Sequence, residues 1–508
     1  MRSPDNKTKV GSSPKTNPVH YFWTFARQPI DSIKNCFRLF IAAAVCLLPA
    51  NHATQLFAGD NFPNIVVILV DDLGYGELGC QGNSEIPTPN IDSISKCGVR
   101  FTQGYVTASY CSPSRAGLLT GRHQARFGYT KNPVGAMNDD PEIGLPISER
   151  TIADYLRDTG YVTGIFGKWH LGASSKFSPL RRGFDEFYGF LHEGHYYDSP
   201  PYKDSVSWIR RSTLPGGGKG IFKSSDGRRY FSTHMKNNEP AYDANNPILR
   251  DGQPVQEKQY LTDAITREAN RFIKRNTDKP FFLYLSYNAV HSPMQGSNSY
   301  FQKFKDIEDP QRRIFAAMLS NLDDCIGRVI SNLRKEKELD NTLIFFLSDN
   351  GGPTRELTSS NYPLRGEKGS PFEGGLRVPF MMQWTKKIPA GIIYKQPVSS
   401  LDIASTIQAA TGFESGKSKL DGVDLLPFIN GKRSGSPHER LVFKSERHTA
   451  LRIGDWKIVS QTRKNSPPNF EVFDLSKDIS ESNNLSRSNP QQLSNLKREL
   501  SISLDNLK

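Results

Sequence analysis

Residues 64–79 read NIVVILVDDLGYGELG. The apolar run 65–70 is short, rich in β-branched residues and stopped by two acids, Asp71 and Asp72. A strand covered on both faces reads as such an unbroken run, whereas a half-exposed strand alternates. Three more segments repeat the pattern: YVTGIFGKWHLG (161–172), KPFFLYLSYNAVHSPM (279–294) and NTLIFFLSDNGG (341–352). Helix-like stretches precede them, namely ERTIADYLRDTG, LTDAITREANRFIKR and the amphipathic stretch 312–339. Strands alternating with helices predict an α/β domain with a largely parallel sheet. Sites in such sheets gather beyond the carboxyl ends of the strands. Each run ends in residues able to do chemistry: Asp71-Asp72, Lys168-Trp169-His170, His291 and Asp349-Asn350.

The chain has 508 residues, 36% hydrophobic and 23% charged, which suits a large globular body. Its net charge is +13. Residues 1–58 hold seven basic and two acidic residues; the remainder, with 58 basic against 50 acidic, keeps +8. A basic body favours anionic partners. No zinc finger, RNA-recognition signature or Lys/Arg-rich run is present, so a nucleic-acid partner is not expected. Residues 1–58 read as a targeting segment, with a long basic region before LFIAAAVCLLPA (39–50). That run is too short to span a bilayer, which takes roughly 20 residues. Export to the periplasm or outside the cell follows, with an uncleaved anchor as the alternative and no stable membrane partner expected. Of six cysteines, Cys36 and Cys46 lie in that segment. Four scattered cysteines do not make a disulfide scaffold, and spacing leaves a Cys80–Cys97 pair open.

Residues 196–255, rich in Gly, Ser, Asn and Arg, read as an irregular excursion; their glycines lack the Gly-Lys-Ser/Thr of a phosphate loop. Beyond SSLDIASTIQAATG (399–412) the pattern changes to short antiparallel strands. The expected organisation is a targeting segment 1–58, a catalytic domain 59–412 and a small C-terminal α+β domain 413–508.

One stretch stands apart: YCSPSRAGLLTGRH (110–123), a lone thiol before Ser-Pro-Ser-Arg and a helix-like run. Cys-x-Pro-x-Arg followed by Ala-Gly-Leu-Leu-Thr-Gly resembles the signature of the formylglycine-dependent type I sulfatases of the alkaline-phosphatase-like superfamily, and the resemblance extends over most of 62–480. The branch is similar to arylsulfatase A and N-acetylgalactosamine-6-sulfatase. The resemblance implies an alkaline-phosphatase-like fold, a central mostly parallel mixed sheet flanked by helices with a small antiparallel C-terminal sheet. It implies that a formylglycine-generating enzyme oxidises Cys111 to an aldehyde (3-oxoalanine). A sulfate ester is a poor electrophile and needs a strong nucleophile. A hydrated aldehyde offers two geminal hydroxyls, one to attack sulfur and one to expel sulfate as the carbonyl re-forms.

Asp71, Asp72, Asp349 and Asn350 form an all-oxygen set, which indicates a hard cation, Ca²⁺ before Mg²⁺. The resemblance implies Ca²⁺ bound by these side chains and by the modified residue 111. It also assigns roles to a cationic group: Arg115 and Lys168 stabilise the alkoxide, His170 takes a hydroxyl proton, and His291 and Lys368 (in GEKGSPFEGG, 366–375) bind sulfate and protonate the leaving oxygen. HEGHYY (192–197) lacks the HExxH zinc spacing. It reads as a polar aromatic loop or as a sugar-binding edge, with His192 and His195 as candidate contacts and Tyr196 and Tyr197 stacking on a ring. The expected substrate is a sulfated carbohydrate or an aryl sulfate. A phosphoester or phosphonate hydrolase on the same fold, and a glycan-binding protein with unmodified Cys111, are the rival readings.

Overall fold

The computed structural model describes residues 62–416, 418–461 and 467–507; the expected targeting segment 1–58, with Cys36 and Cys46, lies outside them. The Asn64–Val70 strand forms where expected, and all seven of its residues are buried. Its even-numbered residues Val66, Ile68 and Val70 pack in a core with Phe315, Leu319 and Leu322 of the long Pro310–Lys335 helix and with Ile265 and Phe272 of the Leu261–Arg275 helix. Ile65, Val67 and Leu69 pack on the opposite face against Leu119, Ile152, Ile403 and Ile407. The run is unbroken because both faces are covered by helices.

Ten strands form the central sheet, in the order Gln253–Pro254, Leu249–Arg250, Glu186–Phe190, Val162–Lys168, Phe281–Ser286, Asn64–Val70, Thr342–Ser348, Phe380–Gln383, Val99–Phe101, Ile392–Tyr394. The middle five are parallel, and antiparallel neighbours extend the sheet on both sides. Registers align the strand ends: Val70 faces Ser348, Leu69 faces Ser286, and Ser286 faces Gly167. The residues that follow those positions therefore emerge side by side.

The excursion 196–255 is more ordered than its composition indicates. Ser205–Arg210, Arg229–Ser232 and Ile221–Lys223 join Met294–Ser297 in a four-stranded sheet, and two short strands from the same stretch extend the central sheet. Strands this short, broken by Gly-rich turns, show too few alternations to read as a period.

Arg440–Lys444, His448–Ile453, Trp456–Gln461 and Asn469–Asp474 form a separate antiparallel sheet. One face, with Phe443, Ala450, Val459 and Phe473, packs on Tyr105, Phe372 and Leu376. The other, with Leu451, Ile458 and Val472, packs on Leu496 and Leu500 of the Pro490–Asp505 helix. Among the described residues no helix is long and apolar enough to cross a membrane, and the four described cysteines, Cys80 and Cys97 included, are free.

Candidate active site

Adjacent parallel strands ending at Val70 and Ser348 deliver Asp71-Asp72 and Asp349-Asn350 to one place. Cys111 arrives from the other side as the first residue of the Cys111–Thr120 helix. Its Sγ lies 3.4 Å from Asp71 Oδ1. One ligand atom from each of Asp71, Asp72, Cys111 and Asp349 fits within 4.8 Å of all the others, and every one of these residues is buried. Asn350 donates to Asp72 Oδ1 at 2.7 Å, while its own Oδ1 is buried without a hydrogen-bond partner. Converging oxygens with one left unsatisfied make a cradle suited to a hard cation. His291 also comes within the same reach of Asp71 and Cys111, but the three carboxylates and the Asn350 amide oxygen make the set mainly one of hard oxygen donors.

Cations surround the acids. Lys168 Nζ is 2.6 Å from Asp71 Oδ2, and Lys368 Nζ is 2.8 Å from Asp72 Oδ2. Arg115 donates from Nε to Asp349 Oδ2 at 2.8 Å and from Nη1 to Ser286 Oγ at 2.6 Å; its Nη2 is 3.6 Å from Asp71 Oδ2. Burial raises the Asp71 pKa, but Lys168, then His291, Arg115 and Lys368, outweigh it and hold the carboxyl below its ordinary value. Burial pushes Asp72 up to about 7, opposed by Lys368 and reinforced by Asp71 and Asp349. Burial, then Asp71, raises Asp349. Burial, then Asp349 and Asp71, lifts the Cys111 thiol well above the usual thiol range. Three carboxylates this close need positive charge to share the space.

Both histidines have one ring nitrogen committed. His170 Nε2 lies 2.8 Å from the Pro133 carbonyl, and its Nδ1 is buried without a partner. His291 Nδ1 lies 2.5 Å from the Ser292 carbonyl, and its Nε2 lies 3.6 Å from Asp72 Oδ2. A carbonyl accepts only, so His170 carries its proton on Nε2 and His291 on Nδ1 when neutral. Burial lowers both histidine pKa values, with Lys168 adding to it at His170 and Lys368 at His291, which falls to about 3.

A cavity of about 390 Å³ opens over Cys111, His291 and Lys368. Its wall includes Tyr110, Glu193, Arg210, Tyr242, Arg355 and Glu356. Arg115, Lys168 and His170 do not line it. Of the HEGHYY loop, only Glu193 lines it. His192 is buried 3.2 Å from Asp139. His195, Tyr196 and Tyr197 line a different cavity with Asp198 and Leu261. Tyr197 is buried, with its hydroxyl donating to the Asn288 and His291 carbonyls. The expected sugar contacts His192 and His195 therefore do not line the cavity over Cys111: His192 is buried against Asp139, and His195 is half-buried at the neighbouring cavity. Arg210 and Glu356 escaped the sequence reading. Arg210 sits on a strand inside the supposed irregular stretch, and Glu356 has no motif around it.

The family model Sulfatase matches residues 63–413. The chain belongs to the sulfatase family. A second model, N-sulphoglucosamine sulphohydrolase, C-terminal, matches residues 367–508 of this sulfatase. N-acetylgalactosamine-6-sulfatase of Sus scrofa is 33% identical over 426 residues, 80% of this chain and 73% of that protein. Arylsulfatase A of Homo sapiens is 33% identical over 386 residues, covering 75% and 70%. The crystal structure of Ps i-CgsB, 34% identical, superposes with a TM-score of 0.75 over 88% of this chain and 94% of its own; it is also solved in complex with k-i-k-neocarrahexaose. The fold is thus the alkaline-phosphatase-like one, and the sulfatase is a sulfuric ester hydrolase.

Proposed function

We propose that this sulfatase releases sulfate from a sulfated carbohydrate, with Cys111 converted to formylglycine and Ca²⁺ held by Asp71, Asp72, Asp349 and Asn350. One observation carries the reading: Cys111 Sγ and oxygens of Asp71, Asp72 and Asp349 lie mutually within 4.8 Å, at a cavity lined by Cys111, His291 and Lys368. Calcium bound there supplies charge neutralisation and polarisation of the sulfate oxygens. The hydrated aldehyde would supply the nucleophilic hydroxyl and a second hydroxyl, whose deprotonation re-forms the carbonyl as the carbon–oxygen bond to the transferred sulfate breaks and inorganic sulfate leaves.

The protein's own groups do the rest. His170 Nδ1, the ring nitrogen left without a partner, takes the proton of the second hydroxyl. Lys168 and Arg115 hold the Asp71 and Asp349 carboxylates in place and stabilise negative charge forming on residue 111. Lys368 binds a sulfate oxygen. His291, its Nδ1–H held by the Ser292 carbonyl, donates from Nε2 to the leaving oxygen as the imidazolium, the form that a bound sulfate anion favours.

The carbohydrate assignment rests on the N-acetylgalactosamine-6-sulfatase relative and on the neocarrahexaose complex of Ps i-CgsB. Export by way of residues 1–58 belongs to the same reading; sequencing the N-terminus of the secreted protein checks it. The test of function is mass spectrometry of the Cys111 peptide, paired with sulfate release from a panel of sulfated oligosaccharides and an aryl sulfate. The peptide should lack the thiol and carry a carbonyl that traps hydrazide. Full activity with Cys111 intact would end the formylglycine assignment.

A further inference from the structure

The cavity wall offers three strong cations, and two are already engaged. Arg210 pairs with Glu239 and Glu356, each at 2.9 Å. Lys368 pairs with Asp72 at 2.8 Å. The third, Arg355, is exposed, and its guanidinium makes no ion pair or hydrogen bond with any described residue.

Its backbone is nonetheless fixed. Arg355 lies in the Thr354–Leu357 helical turn. Glu367 accepts from the Thr354 amide at 2.7 Å and from its hydroxyl at 2.6 Å. The Arg355 carbonyl lies 3.1 Å from His234 Nε2. The next residue, Glu356, accepts from Ser292 Oγ at 2.6 Å as well as pairing with Arg210. Ser292 in turn bonds Tyr242 at 2.8 Å and follows His291 directly. A free guanidinium is therefore carried on a tied-down platform that reaches the leaving-group side of the site.

The other acids of the wall do not compete for it. Glu193 accepts from the Gly135 amide and from Asn138 Nδ2, at 2.7 and 2.6 Å. Glu367 is engaged by Thr354. Guanidinium presents paired donors whose geometry matches carboxylate and sulfate oxygens, and charge-assisted bonds of this kind are the stronger ones.

We propose, on the basis of the sulfatase reading above, that Arg355 binds a second anionic group on the carbohydrate, a sulfate ester or a uronate carboxylate beyond the ester being cleaved. This makes the enzyme selective for multiply charged glycans. The apolar wall of Val134, Met235 and Pro240 gives the uncharged face of a sugar ring somewhere to lie.

The test separates this proposal from the reading beneath it by measuring binding as well as turnover. The full chain carrying Cys111→Ala, with and without Arg355→Ala, is titrated calorimetrically with three disaccharides. One carries a single sulfate, one carries two, and one carries a sulfate and a uronate. Losing the guanidinium should weaken binding of the two-sulfate or the uronate ligand by about tenfold or more, the size of one charge-assisted bond. Affinity for the single-sulfate ligand should shift by less than about threefold on the same scale. Arg355→Glu should widen the gap further. Which doubly charged ligand responds names the second anion. Equal effects on all three ligands, or none on any, would overturn the proposal. Failure of the wild type to release sulfate from these ligands would instead overturn the catalytic reading and leave the binding result standing.

Discussion

Arg115 shows how one residue of the signature motif serves the protein beneath the substrate. Its guanidinium is 1% exposed and bridges Asp349, Ser286 and the neighbourhood of Asp71. Truncation strands the buried Asp349 carboxylate without its ion-pair partner, a change that costs about 3–5 kcal/mol. Arg115→Ala should therefore lower the unfolding midpoint as well as activity, and chemical denaturation checks this. Because the modifying enzyme is expected to read Cys-x-Pro-x-Arg, aldehyde content in the same variant should fall too. His291 makes a different prediction. A sugar alkoxide leaves poorly without a proton, whereas a nitrophenolate needs little help. A positioned general acid contributes about 10²–10⁴-fold. His291→Ala should thus depress kcat/KM for a carbohydrate sulfate by that order, and for a nitrophenyl sulfate far less. Equal losses would move the proton donor to Lys368.

Strand ends are the elements that build the site. Four of them were legible because strands covered on both faces read as unbroken apolar runs that stop at chemistry. What the sequence could not say was which strands are neighbours. Pairing Val70 with Ser348 is a tertiary fact, and it alone sets Asp71 beside Asp349. Arg210 and Glu356 were illegible for another reason: their partners lie at residues 239 and 292, and no local spacing reports such a contact. The strand-end acids predict that removing divalent metal, or changing Asp349 to Ala, reduces turnover greatly; undiminished activity after verified metal removal would contradict the metal assignment. A second element carries a pH signature. Asp402 opens the Asp402–Thr411 helix, accepts from the Ser399 and Val423 amides and holds His438 Nε2 at 2.8 and 2.9 Å from its two oxygens. Burial lowers the His438 pKa, but Asp402 outweighs it and the net shift is upward. The folded chain keeps this proton to higher pH than the unfolded chain, where histidine titrates near about 6.5. The stabilisation is full below that value and disappears as pH rises through the folded pKa. The stability gap between wild type and His438→Gln should shrink as pH rises from about 6 through the raised folded pKa; a constant gap in denaturant midpoints would refute the linkage.

At the scale of the whole molecule, the C-terminal sheet does more than cover the body. Lys457 is fully buried and pairs with Glu373 at 2.8 Å and Glu481 at 2.9 Å. Glu481 accepts from the Glu373 amide at 2.6 Å, and Arg365 donates to the Glu481 carbonyl at 2.8 Å. Residues 365 and 373 bracket Lys368, so the sheet clamps both ends of the loop that carries a site lysine. Lys457→Met should destabilise the protein by about 3–5 kcal/mol, since it takes the close cation from two buried carboxylates, leaving Glu481 unpaired and Glu373 with Arg377 at 3.5 Å. Adding Glu481→Gln should recover part of that loss by removing one of them. If the clamp positions Lys368, kcat should fall in Lys457→Met even at temperatures where the protein stays folded. The most direct measurement on the account as a whole is inorganic sulfate released from a sulfated oligosaccharide by the wild type and by Cys111→Ala, both loaded with calcium. The account predicts turnover in the first and none above background in the second. Equal release by the two proteins would contradict it.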